Sequence, residues 1–309
     1  MTETSHHIAD AGRDNWVERF LPLGLQAYAQ LMRLDRPIGW WLLLLPCWWG
    51  LFLAQIAGDG GLPNLWFAFL FLLGAIAMRG AGCTLNDIID RKFDALVART
   101  RTRPIPSGRV SVKQAIVFLA GQCLLGFVIL LQFNRYTIVL GSASLLIVAI
   151  YPFMKRITHW PQLVLGLAFN WGALVGWSAV QGSLAWPPIA IYLGGIFWTL
   201  AYDTIYAHQD REDDILIGVK STALQFGEST RSWLVVFFIL SLLSIDMALW
   251  LVGASFIAHL GVAGAALHAV WQVTRFEINN STLCLHLFKS NRMFGLIIAS
   301  FLFVDCLIS

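Results

Sequence analysis

Residues 63–94 read PNLWFAFLFLLGAIAMRGAGCTLNDIIDRKFD. Up to Cys83 the run holds a single charge, Arg79, and it is long enough to cross the roughly 30 Å hydrocarbon core of a bilayer as a helix. Behind it, TLNDIIDRKFD at 84–94 sets Asn86, Asp87, Asp90 and Asp94 directly against the apolar stretch. A helix that is apolar all round has no face to offer water. The run is therefore read as a membrane span, with its acid lying where the span meets one membrane face.

The rest of the chain agrees. Of 309 residues, 58% are hydrophobic and 13% charged, and the mean hydropathy is +0.68. Soluble domains carry roughly a quarter charged residues, so the expected class is an all-α, polytopic integral membrane protein. Nine apolar runs of spanning length lie at about 38–57, 63–83, 113–132, 136–153, 161–181, 187–206, 233–252, 254–273 and 292–308. Lys and Arg gather in cytoplasmic connections, and here they alternate. Arg13, Arg19, Arg33 and Arg36 precede the first run, and Arg91, Lys92, Arg99, Arg101, Arg103 and Arg109 fill the second connection. The fourth holds Lys155 and Arg156, the sixth Arg211, Lys220 and Arg231, and the eighth Arg275 and Lys289. The odd connections AGDGGLP, QGSLAWPP and VGAS hold none, and QFNRYT holds only Arg135. The pattern predicts a cytoplasmic N-terminus and an outside C-terminus. Residues 1–32 are expected as a cytoplasmic tail, frayed at 1–14, and residues 33–309 as a nine-helix membrane domain.

Several function classes are set aside. MTETSHHIADAGRDNWVERF, at 1–20, is polar and mixed in charge, unlike a signal or transit peptide. Cys47, Cys83, Cys123, Cys284 and Cys306 show no C-x-x-C spacing and read as small buried hydrophobes, not as a disulfide or zinc framework. The histidines form no metal motif, no phosphate-loop or nucleophile-elbow signature occurs, and a net charge of +3 gives no sign of a nucleic-acid partner.

The acids carry the chemistry. On a continuing helix Asn86, Asp90 and Asp94 stand at i, i+4 and i+8 and share a face, where like charges repel; a cation is expected among them. A second stretch, YDTIYAHQDREDD at 202–214, closes the sixth run, and Asp203, Asp210 and Asp214 read as another helical stripe with Tyr206 between. Either stretch alone would pass as a solvated charged face. Two of them abutting spans on one membrane side, at a depth where polar groups usually serve function, point to a site. Mg2+ takes oxygen ligands and is held by one or two carboxylates plus substrate phosphates. Two opposed acidic faces therefore suit Mg2+ bridging to a diphosphate, with Arg91, Lys92, Arg99, Arg103, Lys155 and Arg156 neutralising the remaining phosphate charge. Four spans separate the stretches, which suggests two four-helix halves. Asp246, inside a late run, is expected to be a paired structural group.

At these residues the chain resembles the UbiA superfamily of membrane prenyltransferases. The pattern N-D-x-x-D-x-x-x-D is met by Asn86, Asp87, Asp90 and Asp94, and D-x-x-x-D by Asp210 and Asp214. The likeness extends through RLDRPIGWWLLLLP, RTRPIPSG, YPFMKRITHWPQLVLG and YDTIYAHQDREDDILIGVKSTALQFG, and the last three spans match in hydropathy only. It implies nine transmembrane helices around a central cavity open toward a cytoplasmic, acid-rich face, in a bacterial inner membrane. It also implies a Mg2+-dependent aromatic prenyltransferase acting in ubiquinone biosynthesis. Such an enzyme moves a polyprenyl group from polyprenyl diphosphate to the ring carbon ortho to the hydroxyl of 4-hydroxybenzoate. By motif position Asn86, Asp87, Asp90, Asp94, Asp210 and Asp214 would hold metal, with Asp90, Asp94, Asp210 and Asp214 the catalytic set. Asp87 and Asp94 would support that site or hold a second ion. Lys155, Arg156 and Lys92 would grip the diphosphate. Arg79 and Arg36 would hold a phosphate or the acceptor carboxylate, or else snorkel at span ends. Tyr206 or Tyr151 would shield an allylic cation through its ring face. Two alternatives stay open: another acceptor, such as dihydroxynaphthoate, homogentisate, haem or a chlorophyll precursor, and a secondary transporter, whose site would lie nearer the midplane.

Overall fold

The computed structural model describes residues 15–58, 60–96, 100–211, 218 and 220–309. Residues 1–14, expected to fray, and Arg99 lie outside the described residues. Among the described residues every regular element is a helix. Two short ones, α1 (Trp16–Phe20) and α2 (Leu23–Leu31), precede α3 (Ile38–Ile56), α4 (Leu65–Asp94), α5 (Val112–Leu130) and α6 (Arg135–Ile157). There follow α7 (Pro161–Gln181), α8 (Trp186–Ala207), the short α9 (Thr222–Phe226), α10 (Thr230–Val252), α11 (Phe256–Arg275) and α12 (Ser281–Ile308). Each of the nine expected runs thus falls on a long helix. Among the described residues eight stretches are long and apolar enough to cross a membrane; α8 is the exception among the long helices, its apolar content diluted by Pro187, Pro188, Gly194, Gly195 and Asp203. The chain is an all-α integral membrane protein.

Local chemistry sets the helix ends. The side chains of Asn134, Ser255 and Asn280 accept hydrogen bonds from the first-turn amides of α6, α11 and α12, which satisfies N–H groups that have no partner within the helix. Gly182 and Gly253 end α7 and α10 at φ values of 65° and 67°, a left-handed conformation that glycine adopts without penalty.

The chain divides into two compact units, residues 1–41 with 73–129 and residues 42–72 with 130–309. The first has a core of Ala27, Leu31, Ile105, Val110 and Ala115, with Tyr28, Ile88, Val112 and Phe118 against it. In the second, α3 and α7 approach backbone to backbone: a Cβ at Gly50 would collide with the Ala173 carbonyl, and one at Gly176 with the Cys47 carbonyl. Small residues permit such contacts between membrane helices. A paired polar network also lies inside this unit. Trp198 Nε1 donates to Asn291 Oδ1 at 2.9 Å, and Asn291 Nδ2 donates to Gln272 Oε1 at 2.8 Å. Buried amides that are fully paired add specificity without the cost of an unmet hydrogen bond.

Candidate functional site

In the first unit α4 continues as regular helix to Asp94, so the acids behind its apolar run do share one helix. Asp87, Asp90 and Asp94 are 0%, 2% and 9% exposed. Buried carboxylates this close together need cations to be tolerated. Arg33 Nη2 donates to Asp87 Oδ1 at 2.6 Å. Arg103 Nη1 bridges Asp87 Oδ1 at 3.3 Å and Asp94 Oδ2 at 3.0 Å. Arg33 sits between α2 and α3 with a φ of 58°, a costly conformation for any residue but glycine, and also donates to the Gln30 carbonyl at 2.8 Å. Burial alone would lower its pKa, but the Asp87 charge and hydrogen bond raise it above the ordinary value, so Arg33 is a fixed cation. The segment bearing Arg103 is tied down in turn. Thr100 Oγ1 donates to the Asp94 carbonyl at 2.8 Å, and Arg109 donates to Gln30 Oε1 and to the Thr102 carbonyl, each at 2.7 Å.

The second unit treats its acid stretch differently. The α-helix ends at Ala207, and His208–Asp210 tighten into a 3-10 turn. Asp203 rides on α8, and Asp210 closes a turn of three residues per turn instead of 3.6. The Asp210 side chain and the whole of Asp214 lie outside the described residues. The His208 ring is buried, with Nε2 3.1 Å from Thr230 Oγ1. Burial, with the nearby Arg211 charge, lowers its pKa to about 4. The chain comes back at Lys220, whose amide donates to the Lys155 carbonyl at 2.8 Å and whose Nζ donates to the Ile157 carbonyl at 3.1 Å. Thr222 Oγ1 then meets Thr204 Oγ1 of α8 at 2.6 Å. Lys155 and Arg156, in the last turn of α6, therefore stand where the loop after the acid stretch docks. Tyr206 packs on the Phe288 ring at 4.5 Å.

The other expected residues fall in varied places. Arg36, half-buried, donates to Asp35 at 3.1 Å. The Arg79 guanidinium lies against Gly39, where an added Cβ would sit 3.1 Å from Nη2. Lys92 is exposed on the last turn of α4. Asp246 pairs with His259 Nδ1 at 2.6 Å, the structural pairing expected of it. Two groups escaped the sequence. Arg33 is 54 residues from Asp87, and nothing in RLDRPIG singles it out over Arg36. Asp305, also within an apolar run, is fully buried and accepts from the Ser255 amide at 3.2 Å and from the Ser255 hydroxyl; it braces the start of α11.

Among the described residues no three His, Cys, Asp or Glu side chains converge as a metal cage. The acid end of α4 offers oxygen donors only, and Asp87 Oδ2 is buried with no hydrogen-bond partner among the described residues. Such a set fits a hard divalent cation completed by water and phosphate oxygens, and does not fit a thiolate or imidazole site.

The UbiA prenyltransferase family matches residues 43–298. The chain is 50% identical over 285 residues to a mitochondrial 4-hydroxybenzoate polyprenyltransferase of Dictyostelium discoideum, covering 92% of this chain and 61% of that protein. It is 51% identical over 279 residues to the mitochondrial 4-hydroxybenzoate polyprenyltransferase of Bos taurus, covering 90% of this chain and 74% of that one. Both relatives are mitochondrial by name, so they lend no support to a bacterial inner membrane. A solved UbiA homolog from Archaeoglobus fulgidus, bound to GPP and Mg2+, superposes with a TM-score of 0.67 at 20% identity, over 91% of this chain and 99% of that one. At that identity the likeness speaks for the fold.

Proposed function

The chain belongs to the UbiA prenyltransferase family, and we propose that it transfers a polyprenyl group from polyprenyl diphosphate to the ring carbon ortho to the hydroxyl of 4-hydroxybenzoate. The product is 3-polyprenyl-4-hydroxybenzoate, with diphosphate released, as the prenylation step of ubiquinone biosynthesis. Identity near 50% to polyprenyltransferases of that acceptor supports the substrate pair. The observation that carries the chemistry is the buried carboxylate face of α4.

In this reading Asn86 and Asp90, with Asp210 and Asp214, would hold Mg2+. Asp87 and Asp94, each paired with arginine through one oxygen, would support that site or hold a second ion, for which Asp87 Oδ2 stays open among the described residues. When bound, Mg2+ stabilises the negative charge that builds on the diphosphate as it leaves. Lys155, Arg156 and Lys92 add positive charge for the same leaving group. The donor C–O bond breaks with its electron pair going to diphosphate, and the allylic carbon is attacked by the ring carbon that the phenol oxygen enriches. The ring proton then departs and aromaticity returns. Arg79 or Arg36 orients the acceptor carboxylate, the Tyr206 ring shields the allylic cation, and exclusion of water protects that cation from capture.

Product mass spectrometry tests the assignment. 4-Hydroxybenzoate should give a prenylated acid that retains its carboxylate, benzoate should give nothing, and 4-hydroxybenzyl alcohol should react poorly. Faster prenylation of dihydroxynaphthoate or homogentisate would overturn the acceptor. Absence of Mg2+-dependent diphosphate release would overturn the enzyme reading in favour of a transporter.

The Lys/Arg alternation supports an N-terminus and acid-rich connections on the cytoplasmic side. Single cysteines at Gly108 and Lys220 should then label from that side, and one at Gly182 from the other. Same-side labelling of Gly108 and Gly182 would refute this topology.

A further inference from the structure

The stretch expected as a cytoplasmic tail turns apolar side chains outward. On α1 and α2 the exposed side chains other than Arg19 are apolar: Trp16 at 45%, Phe20 at 70%, Leu23 at 68% and Leu25 at 56%. The polar side chains of α2 are the hidden ones, Gln26 at 7% and Gln30 at 0%. A helix on a water-facing surface shows the reverse arrangement.

The buried polar groups also satisfy the backbone and one another. Gln26 Nε2 donates to the Leu21 carbonyl at 3.0 Å and the Glu18 carbonyl at 3.3 Å, at the corner between the two helices. Gln30 Oε1 accepts from Arg109. Backbone that meets hydrocarbon must be satisfied from within the protein in this way.

The packing sets the depth. Tyr28 lies edge-on to Phe118, ring centroids 5.0 Å apart, and Phe118 is six residues into α5, about 9 Å along its axis. The Met32 side chain reaches Gly80, where an added Cβ would meet Met32 Cγ at 3.0 Å, and Gly80 lies within the apolar run of α4. Just 17% of the spanning window of α5 is buried, and its Ile116 and Val117 are exposed. The exposed apolar surface of α1 and α2 thus adjoins a helix of spanning length with exposed apolar side chains of its own. Arg19, exposed and 5.3 Å over the Phe20 ring, supplies the cation that such interfacial segments direct to lipid headgroups.

We infer that residues 16–31 form an in-plane membrane arm whose outer face, Trp16, Phe20, Leu23 and Leu25, is covered by bilayer lipid at the boundary between headgroups and acyl chains. The assignment is independent of the proposed activity. Two consequences follow. The arm ends next to Arg33, so its embedding helps hold the residue that pairs with Asp87. It also marks the membrane level on the acid-bearing side of the first unit.

The test uses the full chain carrying Cys123→Ser, with a single cysteine in place of Leu23 or, separately, Phe20, labelled with a fluorophore sensitive to its surroundings. The protein is reconstituted in vesicles of phosphatidylcholine and phosphatidylglycerol, and a label at Gly108 serves as the aqueous reference. Labels at both arm positions should emit at shorter wavelength than the reference. They should be quenched by chain-brominated lipid and be several-fold less sensitive to aqueous iodide. Iodide quenching equal to that at Gly108 would overturn the inference. So would shielding from iodide without quenching by brominated lipid, the signature of cover by a second copy of the chain.

Discussion

The two acid-bearing helix ends are built from the same residue types and handled in opposite ways. At the end of α4 the helix stays regular, and its buried charges are met by charge: Arg33 on Asp87, Arg103 on Asp87 and Asp94. At the end of α8 the α-helix gives way to a 3-10 turn after Ala207, and two hydrogen bonds between neutral groups hold it there: Thr204 with Thr222, and the His208 ring with Thr230. The first end is therefore a preformed anionic face whose geometry the protein itself maintains. The second holds its described turn by hydrogen bonds between neutral side chains. Spacing of acids along a sequence does not separate these cases; the partners do.

The largest test of that contrast is on activity. Asp90→Ala and Asp210→Ala should each lower prenyl transfer by roughly 10²–10³-fold or more, the scale of losing transition-state charge stabilisation, in protein that still folds. Chelation should do the same to the unmodified chain, with Mg2+ restoring turnover. Product formation by mass spectrometry decides it. Near-normal turnover in Asp210→Ala beside an inactive Asp90→Ala would confine the metal ligands to the α4 end and make the two ends unequal in function as well as in structure.

Next comes stability. Arg33→Met leaves Asp87, 0% exposed, with one of its two cations gone. Breaking a buried pair by removing one partner costs roughly 3–5 kcal/mol, so unfolding in detergent should move to clearly lower denaturant. Asp87→Asn should cost less than Asp87→Ala, because the amide keeps one oxygen for Arg33. The double change Arg33→Met with Asp87→Asn should cost less than the two single effects added. Additive losses would mean that the pair is not coupled, and the contrast between charged and neutral helix ends would lose its energetic basis.

What was legible in the sequence follows the same division. The α4 helix and its acid face rest on local facts, an apolar run of spanning length and carboxylates at helical spacing, and both are found as read. The Arg33 clamp depends on a left-handed residue and on a partner 54 positions away, neither of which leaves a local trace. After Ala207 the His208 ring meets Thr230, 22 residues on, a partner that helical periodicity does not register. Asp305 was hidden for a similar reason: its capping partner Ser255 lies 50 residues away. The outward apolar side of α1 and α2 is not legible in the chain start either, since composition says nothing about which side of α2 faces inward.

The smallest expected effect probes the α8 end. His208 Nε2 carries the proton, because Thr230 Oγ1 spends its own hydrogen on the Gly227 carbonyl at 2.7 Å and accepts from the ring. Nδ1 is then the site a second proton must take, and it is buried with no hydrogen-bond partner among the described residues. Burial penalises a charged ring there, and the Arg211 charge adds to that penalty, which is why the folded pKa falls from 6.5 to about 4. Above pH 6.5 both folded and unfolded chains hold a neutral ring, and this group adds no slope. Between pH 6.5 and about 4 the unfolded chain takes up a proton that the folded chain refuses, so stability should fall as pH falls through that window and level off below it. The separation of the two pKa values sets a ceiling of roughly 3 kcal/mol. His208→Gln, which keeps a donor for Thr230 but cannot titrate, should flatten that part of a thermal-unfolding profile taken against pH and leave the profile above pH 7 unchanged in shape. An identical slope in the variant would assign the acid sensitivity to other groups and remove the neutral ring from the account of how α8 ends.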